Sequence, residues 1–194
     1  MDKKNKSGKE SAGKIAAKTL KSFIKSGKEL LKKGDNDGAI SAFTAVLSNI
    51  TDWDIYVDRG IAYKNKKDYD SAIADFKKAL SVSGDDSFFI FTLLSASYRE
   101  KGDYDASIDY CNRAIETYEL IDADTYEKAM AFAYNDLAIT YMAKNDREQA
   151  VSFLKQSADN GGTEALEKLN ELGVKYKPNH FVRKEQYGAS SVHH

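Results

Sequence analysis

One cysteine, one proline, one tryptophan and three histidines are all that these 194 residues contain of those types. Each scarcity excludes something. Cys111 has no partner for an internal disulfide, which fits a reducing compartment. The lone Pro178 leaves the preceding chain free to form uninterrupted helices. His180, His193 and His194 all fall near the C-terminus, away from any segment that packing would fix. A metal centre or catalytic triad needs partners held in place, so no catalytic residue, metal ligand or cofactor is assigned. No apolar run approaches the ~18 residues that span a bilayer. The lysine-rich start lacks the apolar core of a secretory signal, and the expected location is cytoplasmic. The sequon Asn49-Ile50-Thr51 matters only in a secreted protein. Gly8-Lys9 and Gly13-Lys14 lack the Ser or Thr of a phosphate loop. The acidic turn Gly34-Asp35-Asn36-Asp37-Gly38 lacks the ligand spacing of a calcium loop and reads as a helix–helix turn. Alternating valine-rich stretches are missing as well, so no sheet is expected.

What is present is a pattern that recurs four times. An aromatic residue is followed seven places later by a large apolar one, with a small residue between: Phe23/Gly27/Leu30, Tyr56/Gly60/Tyr63, Phe91/Ser95/Tyr98 and Tyr134/Ala138/Tyr141. A partner segment follows each: Ala39/Phe43/Val46, Ala72/Phe76/Ala79, Ser107/Cys111/Ala114 and Ala150/Leu154/Ser157. The aromatic starts lie 33, 35 and 43 residues apart. Seven residues are about two helical turns, so each triplet shares one face. Large-small-large on one helix then faces small-large-small on the next, which lets two antiparallel helices interlock. Asp35, Asp68, Asp103 and Asp146 stand at the four breaks, where an aspartate caps the following helix. Gly34 and Gly102 precede two of them, as a helix C-terminus favours. A fixed period in this range marks a solenoid of stacked units, which displays a surface for partners.

These residues resemble the tetratricopeptide repeat, a unit of about 34 residues forming two antiparallel helices. The second copy is nearest the family pattern, with Tyr56, Gly60, Tyr63, Ala72, Phe76 and Ala79. The chain departs from it in three ways. The closing Pro is replaced by Thr51, Gly84, Glu119 and Gly162; Ser107 and Cys111 stand for the usual Ala and Phe of the third copy; and about nine extra residues fall between Thr117 and Met130. The resemblance implies an all-α fold: a right-handed α-solenoid of about four helix-turn-helix repeats over residues 13–173. A short amphipathic helix from Thr163 would cap its C-terminal end. Residues 1–12 are expected to be a disordered basic N-terminus, with a helix starting near Ser11, and 174–194 to be a tail that can dock on the body. Asp122 or Asp124 would cap a long first helix of the fourth repeat.

The resemblance also implies a non-enzymatic adaptor or scaffold that binds a partner peptide or helix in a concave groove lined by the first helix of each unit. Mapped onto this chain, the partner-binding residues are Lys21, Lys25 and Lys28, then Asp54, Asp58 and Lys64, then Phe89 and Arg99, then Asn135 and Asp136. Ile24, Ile61, Leu93, Phe132 and Ile139 accompany them. The family's co-chaperones grip acidic chaperone C-termini with a clamp of Lys, Asn, Asn, Lys and Arg. The matching places here hold Ile24, Lys28, Asp58, Phe89 and Leu93, so that partner is not expected. Two alternatives remain, and the first rests on charge, which is +8 over residues 1–33, −12 over the middle and +3 from Val174 onward. Lys14, Lys18, Lys21, Lys25, Lys28 and Lys32 recur every three or four residues. They would serve an anionic-surface protein that binds nucleic acid or membrane. The other alternative is a scaffold that self-associates end to end through its capping faces.

Overall fold

A computed structural model describes residues 3–84, 87–118 and 123–179, with side chains described from 17 to 84, 87 to 117 and 127 to 179. Among these residues there are nine α-helices and no strand. They are α1 (Lys3–Lys32), α2 (Asn36–Leu47), α3 (Trp53–Asn65), α4 (Tyr69–Ser83), α5 (Phe88–Lys101), α6 (Tyr104–Tyr118), α7 (Ala123–Ala143), α8 (Arg147–Asp159) and α9 (Thr163–Glu171). None is long and apolar enough to cross a membrane. The chain divides into two compact units, residues 1–86 and 87–194.

The turns form as the sequence dictates. Asp35, Asp68, Asp103 and Asp146 each accept the backbone N–H three residues on, at 3.0, 3.2, 3.1 and 3.1 Å. The residue before each aspartate is left-handed: Gly34 (φ 80°), Lys67 (φ 62°), Gly102 (φ 88°) and Asn145 (φ 64°). Glycine adopts that conformation without steric cost and asparagine tolerates it; lysine does not. Lys67→Gly is therefore expected to raise stability by about 0.5–1 kcal/mol, the relief of strain exceeding the extra freedom glycine brings to the unfolded chain. A chemical denaturation midpoint that does not rise would count against this turn geometry.

In the first unit, α1–α4 form two hairpins. Phe43 and Phe76 are fully buried, and each ring lies on the glycine of the facing helix. A Cβ on Gly27 would come within 2.6 Å of Phe43 Cε1, and one on Gly60 within 2.5 Å of Phe76 Cε1. That close approach is why both positions are glycine. Ala39, Val46, Ile55 and Ala62 complete the first core layer, with Leu20, Ile24, Leu30 and Leu31 packed against it. Arg59 lies over the rings of Tyr56 and Tyr63, at 5.7 and 5.9 Å, and holds Asp75 through Nε and Nη2 at 2.8 and 2.7 Å. Helix α1 runs back to Lys3, where the sequence reading places disordered chain through residue 12. The reason is local: Lys, Glu and Ala, which favour helix, outnumber the single glycine there, Gly8.

In the second unit, α5–α8 form two further hairpins and α9 packs on α8. Tyr110 stacks on Tyr98 at 5.5 Å and tilts against Phe91 at 6.2 Å; Phe153 stacks on Tyr134 and Tyr141 at 6.3 and 5.4 Å. These stacked rings occupy the repeat position that Asp75, paired with Arg59, takes in the second hairpin. The extra residues between the third and fourth copies lengthen α7 to 21 residues, against 13 and 14 in α3 and α5. Asp122 lies outside the described residues, as do the side chain of Asp124, the three histidines, Phe181 and Tyr187. Helix α9 buries Ala165 and Leu169 against Ala138, Leu154 and Ala158. The segment that follows docks as a strap. Val174 and Tyr176 pack on the same cluster, the Tyr176 hydroxyl donates to both Asp159 oxygens at 2.9 and 2.8 Å, and Asn179 N–H donates to Asp159 Oδ1 at 2.8 Å. Burial, reinforced by Asp159, pushes the Tyr176 phenol up to about 12.

Candidate partner-binding faces

The least buried residues of the first helices recur at helical spacing and define one face in each unit. On the first unit that face combines α1 and α3. Lys28 Nζ donates to Asp54 Oδ2 at 2.7 Å and lies 3.2 Å from Asp58 Oδ2. The second contact is an ion pair by distance only, because Asp58 Oδ2 is buried without a hydrogen-bond donor. Burial lifts the Asp58 carboxyl above its ordinary value, with Lys28 opposing the shift, while the hydrogen bond that Lys28 donates to Asp54 raises Lys28. Of the residues the sequence points to here, Lys28, Asp54 and Asp58 come together. Lys21 and Lys25 stand in solvent on α1, Lys25 having only Glu29 at 3.9 Å. Lys64 is half-buried at the last turn of α3, apart from that cluster.

On the second unit the face combines α5 and α7 and is apolar. Phe89 is 53% exposed, Phe132 is 55% exposed and Met142 is 41% exposed; Leu93 and Ile139 are half-buried. Phe132, Ile139 and Met142 share one stripe of α7, with Asn135 among them. Asn135 Oδ1 accepts from Lys168 Nζ on α9 at 3.2 Å, and Lys168 also bonds Glu164 at 2.8 Å. Sequence reasoning missed Met142 and Lys168. Met142 carries a legible signal, standing three residues beyond Ile139; Lys168 is brought in by a helix outside the repeat pattern.

Arg99 and Asp136 lie beneath this face rather than on it. Asp136 is 6% exposed. One of its oxygens pairs with Arg99, and the other accepts from Ser95 Oγ at 2.9 Å and from the Cys111 thiol at 3.5 Å. Ser95 also meets Ser107 and Cys111, at 3.0 and 2.9 Å, and Ser107 meets Thr140 at 3.0 Å. In the first two hairpins the corresponding sites are a glycine and a ring; here they are a serine and a cysteine, and hydroxyls fill the space. Burial pushes the Cys111 thiol well up, which keeps it protonated and unreactive. Asp58 and Asp136 occupy equivalent repeat positions, each two residues before the small residue of its helix. Their neighbours separate them. Asp136 faces Ser95 and Arg99, both donors, whereas the matching residues on α1 are Gly27 and Leu31, so Asp58 turns to Lys28 at the surface. Among the described residues, no group of three or more His, Cys, Asp and Glu side chains could hold a metal.

The geometry agrees with what this chain is similar to. Two tetratricopeptide repeat family models match residues 53–86 and 86–160, together more than half of the sequence. The chain belongs to the tetratricopeptide repeat family. Its curated tetratricopeptide relatives include the Hsp70-Hsp90 organizing protein of Triticum aestivum, 31% identical over 117 residues (59% of this chain and 20% of the relative). The Hsp70-Hsp90 organizing protein 1 of Glycine max is 34% identical over 113 residues (57% and 19%). The match thus spans about a fifth of the length of these relatives. Among solved structures, MamA superposes with a TM-score of 0.64 at 19% identity, covering 80% of this chain and 86% of MamA. The N-terminal domain of stress-induced protein-1 (STI-1) from C. elegans does so at 0.55 and 23%, covering 62% and 94%. Both share the tetratricopeptide α-solenoid fold.

Proposed function

We propose that this chain is a non-enzymatic adaptor that binds a partner protein, through an apolar peptide or one side of a helix, on the faces made by the first helices of its repeats. The observation that carries this reading is the apolar row Phe89, Phe132, Ile139 and Met142, with two of its rings more than half exposed. A monomer gains nothing from exposing such a row, whereas a partner helix with apolar residues at matching turns buries it. Arg99 and Asp136 neutralise each other below, so the row presents no net charge, and Lys168 sits at its edge to orient the ligand.

The partner is not an acidic chaperone C-terminus, although the names of the relatives connect them to Hsp70 and Hsp90. A peptide carboxylate drawn to Lys28 would have to separate it from Asp54 and Asp58. That would leave the half-buried Asp58 charge without its counter-ion, a costly arrangement. Phe89 and Leu93, in the places of the clamp's remaining cations, offer no charge at all.

The test uses the full chain with a photocrosslinker at Met142 to identify the partner, followed by titration of the purified pair. Phe132→Asp is expected to weaken binding about thirtyfold, the weight of a 2 kcal/mol anchor, with unchanged helical circular dichroism. Asp58→Lys with Asn135→Ala should weaken it as well. Unaltered affinity in both variants would place the site elsewhere, and saturable binding of a synthetic acidic chaperone C-terminal peptide would reverse the exclusion.

A further inference from the structure

The two terminal helices carry matching stripes of opposite charge. On α1, Lys18, Lys21 and Lys25 follow one another at intervals of three and four residues and are all exposed. On α9, Glu164, Glu167 and Glu171 repeat the same intervals, also exposed, on the side opposite the buried Ala165 and Leu169. Each stripe advances about 10 Å along its helix, because seven residues rise 1.5 Å apiece. Among the described residues, Lys18, Lys21, Glu167 and Glu171 have no ion-pair partner; Lys25 has only a loose one in Glu29, and Glu164 bonds Lys168. The charge is thus unspent on both helices.

We propose that the chain associates head to tail with a second copy of itself, the lysine stripe of α1 on one molecule lying along the glutamate stripe of α9 on the next. The charges favour this occupant over nucleic acid or membrane. Residues 1–58 contain no arginine, and the exposed ring of Phe23, between Lys21 and Lys25 in sequence, falls on the opposite side of α1 from the lysine stripe, away from any base the lysines would hold. The apolar side of α1, through Leu20, Ile24, Leu30 and Leu31, is already packed on its own core and cannot enter a bilayer. A second copy supplies carboxylates at the very spacing of the lysines. The contact joins different surfaces of the two molecules, so it is heterologous. Exposed ion pairs contribute little singly and are screened by salt, so the association is weak, reversible and favoured by crowding on a shared partner. It would array the apolar faces of several copies, which raises avidity without new contacts.

Sedimentation velocity of the full chain tests this. At about 50 mM salt, where the Debye length exceeds the reach of a contact pair, the weight-average coefficient is expected to rise with protein concentration; at about 0.5 M it should stay at the monomer value. The triple variant Lys18→Glu, Lys21→Glu, Lys25→Glu should remain monomeric, and so should Glu167→Lys with Glu171→Lys, which spares the Glu164–Lys168 pair. Mixing the two variants restores opposite charges at both junctions and should restore association. Lys33→Glu with Lys78→Glu and Lys175→Glu removes three lysines off the stripe and should associate like the parent. A monomer at every concentration, failure of the mixture to associate, or equal loss in the off-stripe variant each overturns the proposal. Binding to anionic vesicles or poly-uridine that depends on Lys21 and Lys25, without self-association, would assign the stripe to that surface instead. None of these outcomes bears on the apolar face, which Phe132→Asp tests separately.

Discussion

Asp136→Ala is expected to be among the most damaging single substitutions in the second unit, costing about 3–5 kcal/mol, as does removal of one member of a buried ion pair. The change leaves the guanidinium of Arg99, whose side chain is 16% exposed, without its carboxylate. It also removes the acceptor that Ser95 Oγ and the Cys111 thiol share. Arg99→Met combined with Asp136→Leu should cost much less than Asp136→Ala alone, because no charge is then stranded. Urea denaturation followed by circular dichroism would read the difference. If Asp136→Ala unfolds at the parent midpoint, the carboxylate is not held as described.

The second large effect is expected in the second hairpin. Phe76→Ala should cost about 3–5 kcal/mol, since a fully buried ring is lost from a site that cannot collapse around rigid helices. Its facing residue gives the prediction more content. Gly60→Ser alone should be severe, because even a Cβ at that position would overlap the Phe76 ring. Gly60→Ser with Phe76→Cys reproduces the pair Ser95/Cys111 and should recover part of the loss, so the two substitutions couple rather than add. Strict additivity in chemical denaturation would show that the ring and the glycine do not meet.

The repeat and its turns were legible because their signals are local. Each aspartate lies three residues from the N–H it caps, and Gly27 and Gly60 stand at fixed intervals from the aromatic residues beside them. The candidate faces were less legible because their outcome depends on residues far away in sequence. Asp58 and Asp136 are indistinguishable by register, and both read as surface residues. What turns one toward the exposed Lys28 and the other toward buried donors is whether the preceding first helix carries Gly27 and Leu31 or Ser95 and Arg99. Phe89 is a contrasting case: Phe91, the ring that the repeat pattern uses, is buried, whereas Phe89, two residues before it, is exposed. The start of α1 was misread for another reason. Its sequence has no apolar periodicity, yet helix propensity alone extends a helix already nucleated downstream.

The hydroxyl layer around Ser95, Ser107 and Thr140 has a consequence for how the chain finds its fold. A protein of similar hairpins runs the risk that one hairpin packs on the wrong sibling, since a ring seated on glycine is satisfied by any sibling with the same pair. Gly27 with Phe43 and Gly60 with Phe76 are interchangeable in that respect. The third hairpin is not. Its serines and cysteine accept only a helix that brings a carboxylate and a threonine to the same depth, and α7 alone carries Asp136 four residues before Thr140. The layer acts as an address label, rejecting mispaired siblings by leaving their polar groups unanswered.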